Sequence, residues 1–186
     1  MDNKRLAIGA TAPDFQLPGV DGQNYSLQSF SNAKILIIIF SCNHCPYVQA
    51  YEERIMALQQ QYKNKGVQLV AINANETVNY PADTFEKMVA RAHEKGFNFP
   101  YLRDDTQKVA DAYGAHYTPE IFLLDSKRRL QYTGRIDDNW QNTDQVKIHS
   151  LRDAIEATLA GVPIDIPETH AIGCTIKWAG ARPPAS

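Results

Sequence analysis

KILIIIFSCNHCPYV, the stretch from Lys34 to Val48, decides how the rest of the 186-residue chain is read. Ile35 to Phe40 is an apolar, β-branched run without polar alternation, the pattern of a central strand buried on both faces. Two of the chain's three cysteines, Cys42 and Cys45, follow with two residues between them. Pro46 comes next, and proline is tolerated in the first turn of a helix. Tyr47, Tyr51, Ile55, Leu58 and Tyr62 then recur at steps of four and three, marking one helical face. The cysteines therefore fall where a buried strand ends and a helix begins.

That junction matters chemically. The first turn of a helix presents unpaired backbone N–H groups and the positive end of the helix dipole. A thiolate placed there is stabilised, and the expectation is a lowered pKa at Cys42. A metal clip, a structural crosslink and a redox-cycling dithiol all use so close a pair. Three cysteines are too few for a disulfide scaffold, and in a reducing compartment close-spaced pairs bind metal or do redox chemistry.

Composition narrows the classes. With 44% hydrophobic and 22% charged residues the chain is ordinary for a globular protein. A formal net charge of −2 argues against nucleic acid and against an anionic membrane surface as partners. The longest strongly apolar run, Ile35 to Phe40, is too short to span a bilayer. The amino terminus lacks the apolar core of a signal peptide. The expectation is a soluble, cytoplasmic protein.

Along the chain, Asp14 to Leu17 and Asn24 to Leu27 flank Asp21-Gly22, a turn signal, and predict an amino-terminal β-hairpin within residues 12–30. Gly66 ends the helix that follows the cysteines. Val67 to Ile72 reads as a second buried strand, Pro81 to Lys95 as a helix, Phe99 to Leu102 as a short extended segment, and Thr106 to Tyr113 as a short helix. Glu120 to Asp125 and Arg129 to Arg135 form an antiparallel pair. Thr143 or Asp144 caps a helix running to about Ala160. From Val162 the chain is a proline-rich tail with one extended patch, Cys174 to Trp178. Early β-α-β units imply a parallel core with right-handed crossovers. The late hairpin adds antiparallel edge strands. The fold class is α/β: a three-layer sandwich with a mixed sheet between helices, one domain over 1–186 with its core at about 34–161 and an extension at 162–186.

The strand–CxxC–helix unit, Thr118-Pro119 ahead of a strand, and this element order resemble the thioredoxin superfamily. The opening APDFQL (Ala12 to Leu17) and Thr118-Pro119-Glu120 resemble its peroxiredoxin and redoxin branch. Together with GRIDDN (Gly134 to Asn139) and GCTIKW (Gly173 to Trp178), they are similar to bacterial peroxiredoxin-like, thioredoxin-family proteins. The resemblance implies a three-layer thioredoxin-like fold, Cys42 as nucleophile, Cys45 as resolving cysteine, and Pro119 as a cis-proline whose loop, Thr118 to Glu120, lies against the dithiol. His44 occupies the position held by histidine in protein disulfide isomerases. An imidazole beside the thiolate stabilises the reduced form, which predicts a potential less reducing than thioredoxin's, about −270 mV.

The chain also departs from these patterns. Peroxiredoxins place a proline and a threonine ahead of the peroxidatic cysteine; the matching positions here are Ile35 and Ile39 before Cys42, or Ile38 and Cys42 before Cys45. Efficient peroxidase chemistry is not implied, although an activated thiolate attacks peroxide. Thioredoxin's buried acid is replaced by Leu36, and Glu120 is its candidate substitute. Cys174 is either a buried inert thiol or a resolving partner for Cys42. Arg135 is an accessory candidate, Asp137 and Asp138 read as a turn, and Trp140 and Trp178 as packing residues. His93, His116, His149 and His170 are scattered; a metal site from Cys42, Cys45 and His116 lacks the ligand set of tetrahedral zinc.

These readings converge on a thiol–disulfide oxidoreductase with no cofactor or metal. It would act on protein or small-molecule disulfides and thiols and be served by a separate thiol reductant. A thiol peroxidase using Cys42 with Cys45 or Cys174 is the alternative, and a metal-binding module a lesser one.

Overall fold

Residues 5–180 are described by the computed structural model; positions 1–4 and the last six of the 162–186 extension lie outside the described residues. Along the chain come β1 (Leu17–Pro18), β2 (Asn24–Tyr25), β3 (Ile35–Ser41), α1 (Pro46–Tyr62), β4 (Val67–Asn73), α2 (Phe85–Lys95), β5 (Tyr101–Arg103), α3 (Lys108–Tyr113), β6 (Tyr117–Thr118), β7 (Glu120–Leu124), β8 (Leu130–Gly134), α4 (Ser150–Ala160) and β9 (Cys174–Thr175). Five strands form one mixed sheet in the order β5-β4-β3-β7-β8. β3 pairs parallel to β4, and β4 parallel to β5, while β3–β7 and β7–β8 are antiparallel.

The unbroken apolar run of β3 is explained by its central place. Every residue from Ile35 to Ser41 is buried. Ile35, Ile37 and Ile39 pack with Tyr51, Ile55 and Tyr62 of α1 and with Leu151, Ala154 and Ile155 of α4. Leu36, Ile38 and Phe40 face the opposite layer, with Ala110 and Tyr113 of α3 and Phe15 of the amino-terminal segment. Alternate side chains of one strand therefore feed two cores. Cutting one of these isoleucines to alanine costs about 2–5 kcal/mol. This rigid strand ends at Ser41 and delivers Cys42 to the carboxyl end of the sheet.

The structure corrects three boundaries and one sheet position. Within the helix expected over Pro81–Lys95, Pro81–Asp83 forms a separate 3-10 turn, and Thr84 is extended with ψ 156° before α2 begins. That break leaves Asp83 outside α2 and turns its side chain inward. Gln107 takes a left-handed conformation (φ 61°), so α3 starts at Lys108 rather than Thr106. Thr143–Gln145 closes only one 3-10 turn, where Asn142 accepts the Asp144 amide; Val146 is extended and α4 waits until Ser150. Finally, β7 is an interior strand beside β3, and of the late hairpin only β8 lies at the edge.

The tail returns across the sheet end. β9 pairs antiparallel with β6, setting Cys174 opposite Thr118 and Thr175 opposite Tyr117. The Ile176 amide donates to the His116 carbonyl (2.8 Å), and Lys177 is held by Asn75, Glu76 and Gln107. Gly173 is needed for this approach: a Cβ there would lie 2.1 Å from the Thr118 carbonyl oxygen. Among the described residues no helix is long and apolar enough to cross a membrane.

Candidate active site

Cys42 is carried on the end of β3, and Cys45 is the residue that caps α1, with Pro46 at its first position. Both thiols are free and buried, and with Val48 they form a small cluster flanked by Tyr47 and Cys174. Cys42 retains 2% exposure and Cys45 none, so both thiols lie beneath the surface. The Thr118–Pro119 peptide is cis. Thr118 serves both sulfurs: its Oγ1 is 3.5 Å from Cys42 Sγ, and its carbonyl oxygen is 3.3 Å from Cys45 Sγ. Cys45 Sγ also lies 2.9 Å from Cys174 Sγ.

The charge distribution differs from the expectation that the helix end would lower Cys42. It is Cys45 that caps the helix, and its pKa is held down to about 4. The hydrogen bond from Cys42 contributes most, opposed by burial, with the Cys174 thiol and the Val48 and Cys174 backbone amides adding to it. Cys42 is pushed up: it donates to Cys45, it is buried, and the Asp83 carboxylate faces it, while the Thr118 hydroxyl works the other way. The two sulfurs titrate as a pair, Cys42 holding its proton more tightly than Cys45. Passing that proton to Cys45 lets it donate to the Thr118 carbonyl and leaves Cys42 as a thiolate beside the Thr118 hydroxyl.

Between the cysteines, Asn43 and His44 are tied to one buried acid. Asp83, fully buried, accepts from the Asn43 amide (2.6 Å), Asn73 Nδ2 (3.1 Å), Asn75 Nδ2 (3.1 Å) and His44 Nδ1. A carboxylate only accepts, so Nδ1 of His44 carries the hydrogen. The His44 ring stacks on Tyr80 (5.6 Å, 14°), and Lys177 of the tail lies over the same Tyr80 ring at 5.6 Å. Asn43 Oδ1 accepts from the Tyr101 hydroxyl (2.8 Å).

Asn43, Asn73, Asn75, Asp83 and Tyr101 were not singled out in the sequence. A signal was present in Asn73 and Asn75, polar residues at the carboxyl end of a buried parallel strand, where α/β sheets place their sites.

Other candidates lie elsewhere. Glu120 is fully buried but turns from the dithiol to Arg5 and to the His116 (2.7 Å) and Tyr117 (3.0 Å) amides. Arg135 reaches Ser150 Oγ (3.2 Å) and lines a cavity of about 340 Å³ bordered by α4 and the Val162–Ile166 segment. Asp137 binds the Tyr51 hydroxyl and Arg54, and Asp138 accepts the Lys147 amide. Trp140 packs on Tyr47 at the start of α1 (4.4 Å), and Trp178 on the inner core.

Among the described residues, the group that brings metal-ligand types together is Cys42, His44 and Asp83, not Cys42, Cys45 and His116. Both Asp83 oxygens already accept two hydrogen bonds each, which leaves that carboxylate poorly suited to a metal. His93 lies on α2, His149 precedes α4, and the His170 ring meets Tyr117 at 5.7 Å.

Residues 7–151 match the family model described as Redoxin. A curated relative, the thiol-disulfide oxidoreductase ResA of Geobacillus thermodenitrificans, is 27% identical over 148 residues, covering 76% of this chain and 79% of that protein. The chain superposes on the crystal structure of a hypothetical protein from Sinorhizobium meliloti 1021 with TM-score 0.89 at 37% identity, covering 96% of this chain and 98% of that one. It also superposes on an uncharacterized conserved protein from Geobacillus kaustophilus with TM-score 0.89 at 38% identity, covering 96% of each chain.

Proposed function

The chain belongs to the redoxin family, and from its dithiol we propose that it is a thiol–disulfide oxidoreductase with Cys42 as nucleophile and Cys45 as resolving cysteine. One observation carries the reading: two free cysteines two residues apart sit at a strand–helix junction, each sulfur facing an oxygen of Thr118 beside a cis-proline.

Cys42 thiolate attacks one sulfur of a substrate disulfide. A Cys42–substrate bond forms, the substrate disulfide breaks, and one substrate thiolate leaves. Cys45 thiolate then attacks Cys42 Sγ, forming Cys42–Cys45 and expelling the second substrate thiolate. Thr118 supplies a hydroxyl to Cys42 and a carbonyl to Cys45, so each sulfur has a partner when the proton moves. His44, anchored on Asp83, tunes the thiolate. A separate thiol reductant restores the dithiol, and the direction of flow follows the potentials of the partners. The scheme uses no metal, flavin or nucleotide. We read the chain as one domain and propose a cytoplasmic setting for it.

The test is covalent trapping. The Cys45→Ser protein should hold a protein-disulfide substrate as a mixed disulfide on Cys42, visible by mass spectrometry. The Cys42→Ser protein should lose disulfide-reducing activity with dithiothreitol as reductant. Substrate held on Cys45 in the Cys42→Ser protein, with none on Cys42 in the Cys45→Ser protein, would reverse the roles.

A further inference from the structure

Cys174 approaches Cys45, not Cys42. Its Sγ is 2.9 Å from Cys45 Sγ, a bonded S–S distance being about 2.05 Å. This proximity is built by the tail. β9 sets Cys174 opposite Thr118, Gly173 lets the backbone press on the Thr118 carbonyl, and hydrogen bonds from Ile176 and Lys177 fasten the strand on its carboxyl side. Asn75 ties that fastening to the site, since it accepts the Lys177 amide while donating to Asp83. Cys174 is also the most exposed of the three thiols, half-buried where the others are buried.

We propose that Cys174 is a third catalytic cysteine, which receives the disulfide by exchange and moves it from Cys42–Cys45 to Cys45–Cys174. The proposal rests on the oxidoreductase reading for the origin of the first disulfide. In the step, Cys174 loses its proton to solvent and its thiolate attacks Cys45 Sγ. The Cys45–Cys174 bond forms, the Cys42–Cys45 bond breaks, and Cys42 leaves as a thiolate that accepts from the Thr118 hydroxyl before taking a proton from solvent. The exchange is redox-neutral and needs no further oxidant. It frees Cys42 for a second substrate and brings the stored disulfide to the more accessible sulfur, where a reductant can reach it.

The electrostatics give the step a direction. In the reduced protein Cys174 is pushed up to about 11, first by burial and then by its hydrogen bond to Cys45 and the charge there, with Lys177 opposing. Once Cys45 is in a disulfide it carries no charge. Two of the three influences that hold the proton on Cys174 then vanish, and Lys177 remains. The third thiol becomes a nucleophile when there is a disulfide for it to attack.

The experiment uses the wild-type chain. The protein is oxidised to one disulfide with a stoichiometric disulfide oxidant, quenched in acid and denatured, and its remaining free thiol is alkylated and located by peptide mass spectrometry. The expected result is label divided between Cys174 and Cys42, within a factor of about ten of each other. Label confined to Cys174, or found on Cys45, overturns the proposal. The Cys42→Ser protein, confirmed folded by circular dichroism, should close a Cys45–Cys174 disulfide under the same oxidant; two free thiols there also overturn it. The Cys174→Ser protein separates the two levels. If it makes no Cys42–Cys45 disulfide, the oxidoreductase reading fails. If it makes one while wild-type label stays on Cys174, the relay alone fails.

Discussion

His44, from between the two cysteines, donates through Nδ1 to the carboxylate of Asp83, a residue 39 positions away in the turn ahead of α2. The same carboxylate faces Cys42 and raises its pKa. The histidine therefore disperses a negative charge that would otherwise oppose the nucleophilic thiolate.

Replacing His44 with alanine leaves that carboxylate facing Cys42 undispersed, which disfavours the reduced form. The wild-type potential should lie above about −270 mV, and His44→Ala should move it tens of millivolts more negative, about 30 mV for each 1.4 kcal/mol. Equilibration with glutathione or dithiothreitol couples reads both. A wild-type value at or below thioredoxin's would reject the tuning role.

Asp83→Asn acts on the same pair with opposite consequences for reactivity and stability. Removing the charge lowers the Cys42 pKa, so iodoacetamide should modify Cys42 faster near neutral pH. Turning an amide toward the buried donors of Asn43, Asn73 and Asn75 should cost about 1–3 kcal/mol, read as an earlier urea midpoint. Unchanged alkylation with normal stability would show that the carboxylate does not act on Cys42.

The pH dependence of the reduced protein follows from Cys45. Its folded pKa, about 4, lies below the ordinary thiol value near 8.5, so the folded state holds fewer protons there than the unfolded chain. The stabilisation is complete above the unfolded pKa and is lost as pH falls through the folded one. Between these limits stability should rise with pH by up to about 1.4 kcal/mol per unit. Cys42 has the opposite shift, so its contribution falls only above the ordinary thiol pKa. Urea titrations of reduced wild-type and Cys45→Ser proteins from pH 5 to pH 8 measure the difference, and parallel curves would refute the assignment.

Gly173→Ala tests the seat of the tail. The new Cβ meets the Thr118 carbonyl, a backbone atom that has little room to yield. Overpacking of this kind costs about 1–3 kcal/mol. Hydrogen exchange at the Ile176 amide, bonded to His116 in the native strand pair, should accelerate as β9 lifts. Native protection in the variant would show that the close approach is not required.

Much of the fold was written locally. Ile35 to Phe40 has the pattern of a strand buried on both faces, Gly66 and Gly161 end helices in left-handed geometry, and the CxxC pair followed by Pro46 marks a strand–helix junction. These signals depend on periodicity and on neighbours a few residues apart. The break at Thr84 and the late start of α4 were not legible. Each is decided by a buried or capping side chain, Asp83 in one case and Asn142 in the other, whose partners come from elsewhere or from a single turn.

The amino-acid order by itself determined that two thiols would meet at the end of a central strand, because strand, spacing and helix start are properties of consecutive residues. Which sulfur carries the negative charge was decided only in three dimensions. That depends on Cys42 facing Cys45, on Asp83 arriving 39 positions from His44 to face Cys42, and on the tail carrying Cys174 to Cys45 across 129 positions. Electrostatic and sulfur–sulfur interactions fall off with distance through space, and distance along the chain says nothing about them until the sheet has closed.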